Sequence, residues 1–460
     1  MFDLSKKIKL IRNDSFYEVF KKKINNFDLS EKDKVILAIS GGIDSISLLY
    51  LMRALNKYEI FVVHINHKLR KRSDEDEKFV RNLSNEMNVK FISKSLEVKG
   101  ISKGASVEEW ARKNRYSYLN KTLLDTESKV IMTAHHANDQ VETILMNFAR
   151  GSGILGLRGI AKENKSLIRP LLSFKKIEII KFSKRIRFDY CIDLTNNDLS
   201  IPRNFIRHKV ISPWAKDMEF IFKGFEKSVC NLSEWQSALD YLIINSIYPH
   251  IKISINRFSI DKNYFLSFPK LIKIRVIQLL IGANKNILWS SHKIEMLNNF
   301  LKKNKVGNII ELNRDWRLLK DRKFIFGEKK NKNSSIKILK IKNNHKIYFN
   351  NYMLEFFLSK KIKKFNQKKY EIVDWAKIKD KTLKIRNWVE GDKFQPLGMK
   401  GNQKVSDMLI NLKINQFSKE KIPIITANEN IIWVCGIRIS EKIKITNNTT
   451  EFAYLKWGIM

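Results

Sequence analysis

The chain has 460 residues, with 87 Lys+Arg against 47 Asp+Glu, so its net charge is 87 − 47 = +40. That length suits two or three domains with ample core, and that charge favours a polyanionic partner, nucleic acid first, although coding bias toward Lys, Asn and Ile accounts for part of it. Cys191, Cys230 and Cys435 form no C-x-x-C pair, which argues against zinc, iron–sulfur or disulfide frameworks and suits a reducing cytoplasm. The N-terminal stretch lacks an apolar signal core, and no apolar run is long enough to span a bilayer. A cytoplasmic protein with no membrane partner is expected.

Residues 35–39 (VILAI) are an apolar, β-branched run that reads as a buried strand. The strand ends in Ser40-Gly41-Gly42-Ile43-Asp44-Ser45, and a helical pattern of Ile46, Leu48, Leu49, Met52 and Leu55 begins at once. Strand, glycine turn and helix start present backbone N–H groups and the positive end of a helix dipole to phosphate. Two glycines permit an approach that a Cβ would block. The Gly-Lys-Ser/Thr ending is absent, so the turn is not a Walker loop. A plain Gly-Gly turn of an α/β protein is the alternative, against which Ser40, Asp44 and Ser45 supply polar groups that such a turn does not need.

Residues 60–66 form the next strand, and His64, Asn66 and His67 at its end are placed to reach a nucleotide. A charged helix runs from Ser73 to about residue 88, its acidic start explained equally by the helix dipole. A short strand covers 89–93, and a helix with Ser106 as its N-cap covers 106–125. On that helix Arg112 either faces the site, gripping phosphate or carboxylate, or pairs with Glu108 at i,i+4. A strand at 130–134 leads through His135 and His136 into a helix over 138–148, where Asp139 and Glu142 share one face. Their carboxylates suit a cation, either Mg²⁺ or a substrate ammonium; a capping box is the alternative.

Strand–helix alternation at this spacing predicts an α/β fold, a doubly wound, mostly parallel sheet. Ligands of such sheets bind beyond the carboxyl ends of the strands, which gathers residues 40–45, 64–67 and 135–142 around one crevice. Further on, Arg203, Asn204 and Arg207 form a basic turn that either reads RNA phosphate or is a solvated helix edge. Residues 216–325 read as mainly helical, with Phe220, Phe222, Trp235, Leu239 and Leu242 as core candidates. The basic stretch 328–346 reads as a linker or exposed strands, and 347–460 as short strands and turns. The expected domains are therefore 1–215, 216–327 and 347–460.

The six residues SGGIDS resemble the PP-loop of the ATP pyrophosphatases. The ordered set SGGIDS, HINHKLR, EEWARKNRY, TAHHANDQVETIL with ARGSGILGLRGI, RPLL, DLTNND and RNFIRH resembles the tRNA(Ile)-lysidine synthase family over residues 30–213. The segment RNWVEGDKFQPLGMKGNQKVSDMLINLKI, followed by KIPII and WVCGIRIS, resembles the C-terminal domain of the same family. The resemblance implies a Rossmann-like PP-loop domain, a helical middle domain and a small α+β C-terminal domain, the last two holding tRNA. It implies that ATP adenylates the C2 oxygen of the wobble cytidine in the CAU anticodon of an isoleucine tRNA. Free L-lysine then displaces AMP through its ε-amine, forming lysidine and converting decoding from AUG to AUA.

Carried onto the matching positions, the resemblance makes Ser40, Gly41, Gly42, Ile43, Asp44, Ser45, His64, Asn66 and His135 the ATP-binding residues. Mg²⁺ would lie near Asp44. Asp44, Arg112, Asp139 and Glu142 would be catalytic, with the division of lysine binding and proton acceptance between Asp139 and Glu142 left open, as is a homodimer. Arg203, Asn204 and Arg207 would touch RNA. The chain departs from the family pattern in three places: Asn138 stands where a second acidic residue is common, Lys68 where glycine is usual, and some typical basic spacing is lost around Val405 to Leu409.

Overall fold

The computed structural model describes residues 4–68, 72–96, 107–164, 166–282, 289–303, 305–330, 337–339, 345–349, 352–361 and 370–459. Arg70 and Ser106 fall outside these residues, as does the Glu108 side chain. The chain divides into two compact units, residues 1–241 with 288–291 and residues 242–287 with 292–460. Among the described residues no helix is long and apolar enough to cross a membrane.

Two helices that the sequence expectations lacked open the first unit, α1 (Leu4–Arg12) and α2 (Ser15–Ile24). Asp14 caps α2 by accepting from the Phe16 amide. Phe16, Phe20 and Ile24 recur every four residues and are buried, with Phe16 stacked on Phe182 at 4.9 Å.

A six-stranded sheet follows, built of β1 (Lys34–Ala38), β2 (Glu59–Asn66), β3 (Lys90–Ser95), β4 (Val130–Met132), β5 (Glu163–Asn164) and β6 (Leu167–Ile168). Its order is β3-β2-β1-β4-β6-β5, parallel throughout except for the β5–β6 pair. The crossover helices are α3 (Ile43–Leu55), α4 (Ser73–Glu86), α5 (Val107–Asp125), α6 (Ala137–Ala149) and the single turn α7 (Ile154–Leu157), and α8 (Lys176–Ile186) follows the last strand. Strand alternation splits β1 between two cores. Val35 and Leu37 pack with residues of α2, α3 and α8, while Ile36 packs with Phe61, Val63, Ile131 and Leu119 of α5. This is the doubly wound sheet that the alternation predicts. Because β2 and β4 flank β1, the chain reverses its direction of winding there, and the loops after β1 and β4 open a crevice between them.

Downstream, α9 (Pro202–Phe205) continues through a π-helical turn, Ile206–Ile211, into α10 (Ser212–Asp217), and α11 (Ile221–Leu242) ends the unit. Of the expected core residues, Phe220, Trp235 and Leu242 are exposed and Phe222 and Leu239 half-buried, while Ile221 and Gln236 are the buried residues of α11.

In the second unit the expected helices are present, together with strands that the sequence reading lacked. Helices α12 (Lys262–Ser267), α13 (Lys270–Ile281) and α14 (Ser291–Lys302) accompany a five-stranded antiparallel sheet. Its strands are β7 (Ile251–Ser254), β8 (Arg257–Asp261), β9 (Asn308–Glu311), β10 (Trp316–Lys320) and β11 (Phe324–Lys329), in the order β7-β8-β11-β10-β9. The described residues of 337–459 include a five-stranded and a four-stranded antiparallel sheet that share a core around Trp433, Ile385, Leu354 and Phe356. The stretch 328–346, read as a linker or exposed strands, holds the end of β11, a short strand β12 (Lys337–Leu339) and the start of β13 (His345–Phe349).

Candidate active site

Beyond β1 the backbone turns on Gly41, whose φ of 93° lies in the region that favours glycine. A Cβ there would sit 3.2 Å from the Cys191 sulfur, and the Cys191 amide donates to the Gly41 carbonyl at 2.9 Å. Gly42 is the N-cap of α3 and provides no side-chain cap, so the first-turn N–H groups and the dipole face outward from the turn. Ser45 secures the loop instead: its Oγ accepts from the Ser40 amide at 3.2 Å and donates to the Gly42 carbonyl at 2.9 Å. Glycine, serine and dipole together form a cradle for an anion.

Asp44 stands in the first turn of α3. Both of its carboxylate oxygens accept from Lys176 Nζ, each at 2.7 Å, and His136 Nε2 lies 3.7 Å from its Oδ2. Lys176 opens α8, and its amide donates to Asn138 Oδ1 at 2.9 Å, which gives Asn138 a structural task at the position where an acid is common. Lys176 lies outside the predicted site residues. A detectable signal was present, because Lys175 and Lys176 begin a helix whose N-terminal dipole disfavours cations.

The carboxylate pair lies across the crevice on α6. Asp139 has a partner on each oxygen: its Oδ2 accepts from the His136 amide at 2.9 Å, completing a capping box, while its Oδ1 accepts from Arg203 Nη2 at 2.7 Å. Glu142 is fully buried and takes Arg203 Nε at 2.6 Å and Arg207 Nε at 2.7 Å. Burial raises the Asp139 pKa, yet the facing His136 ring, Arg203, His135 and the His136 amide together hold it at about 2. The two arginines are thus turned inward onto carboxylates. Asn204 is also internal, its amide bonded to the carbonyls of Thr195 and Asp198 at 2.9 and 3.0 Å.

The remaining predicted residues are divided among several tasks. His64 is buried with Nδ1 2.9 Å from the Ile39 carbonyl, bracing the start of the glycine turn. Asn66 faces α4, donating to Asp74 at 2.7 Å and Glu77 at 3.1 Å and accepting from the Lys68 amide at 3.0 Å. Lys68 has a φ of 52°, which explains why glycine suits that position. His135 pairs with Thr133 Oγ1 at 2.8 Å, and burial, with Asp139 opposing, pushes its pKa down to about 4. Arg112 is exposed, its guanidinium carbon 5.6 Å from the Tyr116 ring centre. Arg169, just beyond β6, is buried with one Nη bonded to the Ala161 carbonyl at 2.6 Å.

The family described as a PP-loop domain matches residues 14–213, and the one described as the TilS substrate C-terminal domain matches residues 383–457. A tRNA(Ile)-lysidine synthase of Clostridium tetani is 31% identical over 456 residues, covering 94% of this chain and 96% of that protein. One from Persephonella marina is 28% identical over 431 residues, covering 91% and 94%. Among solved structures, a U34-tRNA thiolase from Methanococcus maripaludis superposes with a TM-score of 0.39 at 16% identity, over 47% of this chain and 80% of that one.

Proposed function

The chain belongs to the tRNA(Ile)-lysidine synthase family, and we propose that it joins the ε-amine of free lysine to C2 of the wobble cytidine in the CAU anticodon of an isoleucine tRNA. It is an ATP-dependent tRNA-modifying ligase with a PP-loop nucleotide domain. In the reaction we assign, the C2 oxygen of the cytidine attacks the α-phosphorus of ATP and pyrophosphate leaves. The lysine amine then adds at C2, AMP departs with the former C2 oxygen, and the amine proton passes to a base. The C2 oxygen is a poor leaving group until it is esterified to AMP, which is why the nucleotide is consumed.

One geometric observation supports this reading above the others. His136 lies 3.7 Å from Asp44 and 3.5 Å from Asp139, so the phosphate cradle and the carboxylate pair are neighbours across one ring. The cradle's N–H groups and the α3 dipole would carry charge developing on pyrophosphate. Among the described residues no trio of His, Cys, Asp or Glu gathers into a metal cage. Mg²⁺ needs none, since it binds through one or two carboxylates together with substrate phosphates, and Asp44 fits that demand. Held there with the nucleotide, the ion would neutralise charge on the departing pyrophosphate.

Asp139, with its pKa at about 2, stays ionised at neutral pH. It therefore suits an ammonium counter-charge better than a proton acceptor, whose ideal pKa lies near the working pH. Arg112 at the rim would contact a phosphate or the lysine carboxylate. A base in an anticodon loop is already single-stranded, so presenting it to the crevice requires little unpairing.

Incubation with ATP, Mg²⁺, labelled lysine and a transcript of isoleucine tRNA bearing CAU tests the proposal. Acid-precipitable label is expected in that transcript and not in a methionine tRNA with the same anticodon. Absence of label alongside AMP release would retain ATP chemistry and reject lysine as the nucleophile.

A further inference from the structure

A phosphate-binding turn of Walker type carries its own lysine, whereas residues 40–45 contain none. The structure brings one from 132 positions away. Lys176 Nζ bonds both Asp44 oxygens at 2.7 Å, beside the open first turn of α3. Its backbone is fixed, with its amide on Asn138, but its ammonium ends a stem of four rotatable bonds and the pair is partly open, at 31% and 27% side-chain exposure. A lysine at the first position of a helix opposes the dipole, and Asp44 offsets that penalty while no nucleotide is bound.

We propose that Lys176 is the phosphate cation the glycine turn lacks, and that it exchanges Asp44 for the pyrophosphate end of ATP as Asp44 passes to the divalent ion. The inference rests on ATP use at this turn. Charge pairing is conserved through the exchange. Before binding, one carboxylate faces one ammonium; afterwards the carboxylate faces the divalent cation and the ammonium faces phosphate. Lys176 and the metal therefore compete for Asp44 without nucleotide and act together with it. A Lys176 that merely braces α8 would not behave in this way.

Opposite responses of two affinities distinguish these roles. The full-length protein, Lys176→Met and Lys176→Arg are titrated with α,β-methylene-ATP in Mg²⁺ by calorimetry. They are also titrated with Mn²⁺ alone, read from the paramagnetic signal of the free ion. Lys176→Met is expected to weaken the nucleotide analogue roughly 10- to 100-fold, as loss of a charged hydrogen bond requires, while binding Mn²⁺ alone more tightly than the parent. Lys176→Arg is expected to keep analogue affinity within a few-fold. Damage to the fold would lower both affinities, so a joint loss overturns the proposal, as does an unchanged analogue affinity. A parent protein that fails to take the analogue overturns the ATP reading itself; normal parent binding matched by Lys176→Met overturns the exchange alone.

Discussion

Glu142 has no solvent contact and shares two guanidiniums with Asp139, so neutralising it leaves two partly buried arginines facing one carboxylate. Removing one partner from such a cluster typically costs about 3–5 kcal/mol. Glu142→Gln keeps the shape and loses the charge; urea unfolding is expected to show a loss in that range, with lysine transfer abolished. Acid sensitivity follows from two neighbours. His135 is neutral in the fold, with its pKa at about 4, so its contribution is complete above the unfolded value near ~6.5 and is lost as pH falls toward 4. Asp139 at about 2 contributes above its unfolded value near ~3.9 and loses that contribution as pH falls through 2. Unfolding free energies measured from pH 7 to pH 2 are expected to fall in two limbs of roughly 2–3 kcal/mol each, with His135→Gln removing the upper limb. At this scale the sequence exposed spacing but not partners. Asp139 and Glu142 on one helical face were legible, but the capping box pairs His136 with Asp139 rather than Asp139 with Glu142, whose carboxylate takes the two arginines instead. Which cations the acids hold was not legible, since Arg203 lies 64 and Lys176 132 positions from its acid.

Two glycines separate function from packing at the level of elements. Gly41 requires its positive φ beside Cys191, whereas Gly327 of β11 lies opposite Phe258 of β8, and a Cβ there would enter the buried Phe258 ring. Gly41→Ala is expected to cost about 1–2 kcal/mol and to abolish nucleotide-analogue binding. Gly327→Ala should cost about 3 kcal/mol through overpacking while leaving that binding intact. Thermal melts and calorimetry on the two variants check the separation; equal effects on nucleotide would remove the special role of Gly41. The first sheet was readable because its strands are short β-branched runs between turn residues. The middle sheet was misread for a physical reason. Residues 251–261 (IKISINRFSID) do alternate, with Ile251, Phe258 and Ile260 buried and Ile255 at the exposed tip. Their abundance of Ile, Lys and Asn blurred that two-residue period into the surrounding helical signal.

Across the whole molecule, 87 basic and 47 acidic side chains leave at least 40 cations without an acid of their own even if every acid is paired. Many acids are indeed taken, as in Lys90–Glu59, Lys129–Asp33, Lys384–Glu429 and Lys379–Glu451. The surplus is either a polyanion footprint or a dispersed coding bias, and ionic strength separates the two. If six or more surplus cations meet phosphates, log Kd for tRNA should rise linearly with log salt, losing about 10³-fold or more between 50 and 200 mM. Nucleotide-analogue affinity, set within the partly buried crevice, should change far less. Isoleucine and methionine tRNAs with CAU are expected to share that slope and differ in lysine transfer, because backbone contacts position a nucleic acid without reading its sequence. A slope equivalent to one or two contacts would assign most of the +40 to solvated faces. Recognition would then rest on a few residues, which neither the total charge nor the sequence pattern could reveal.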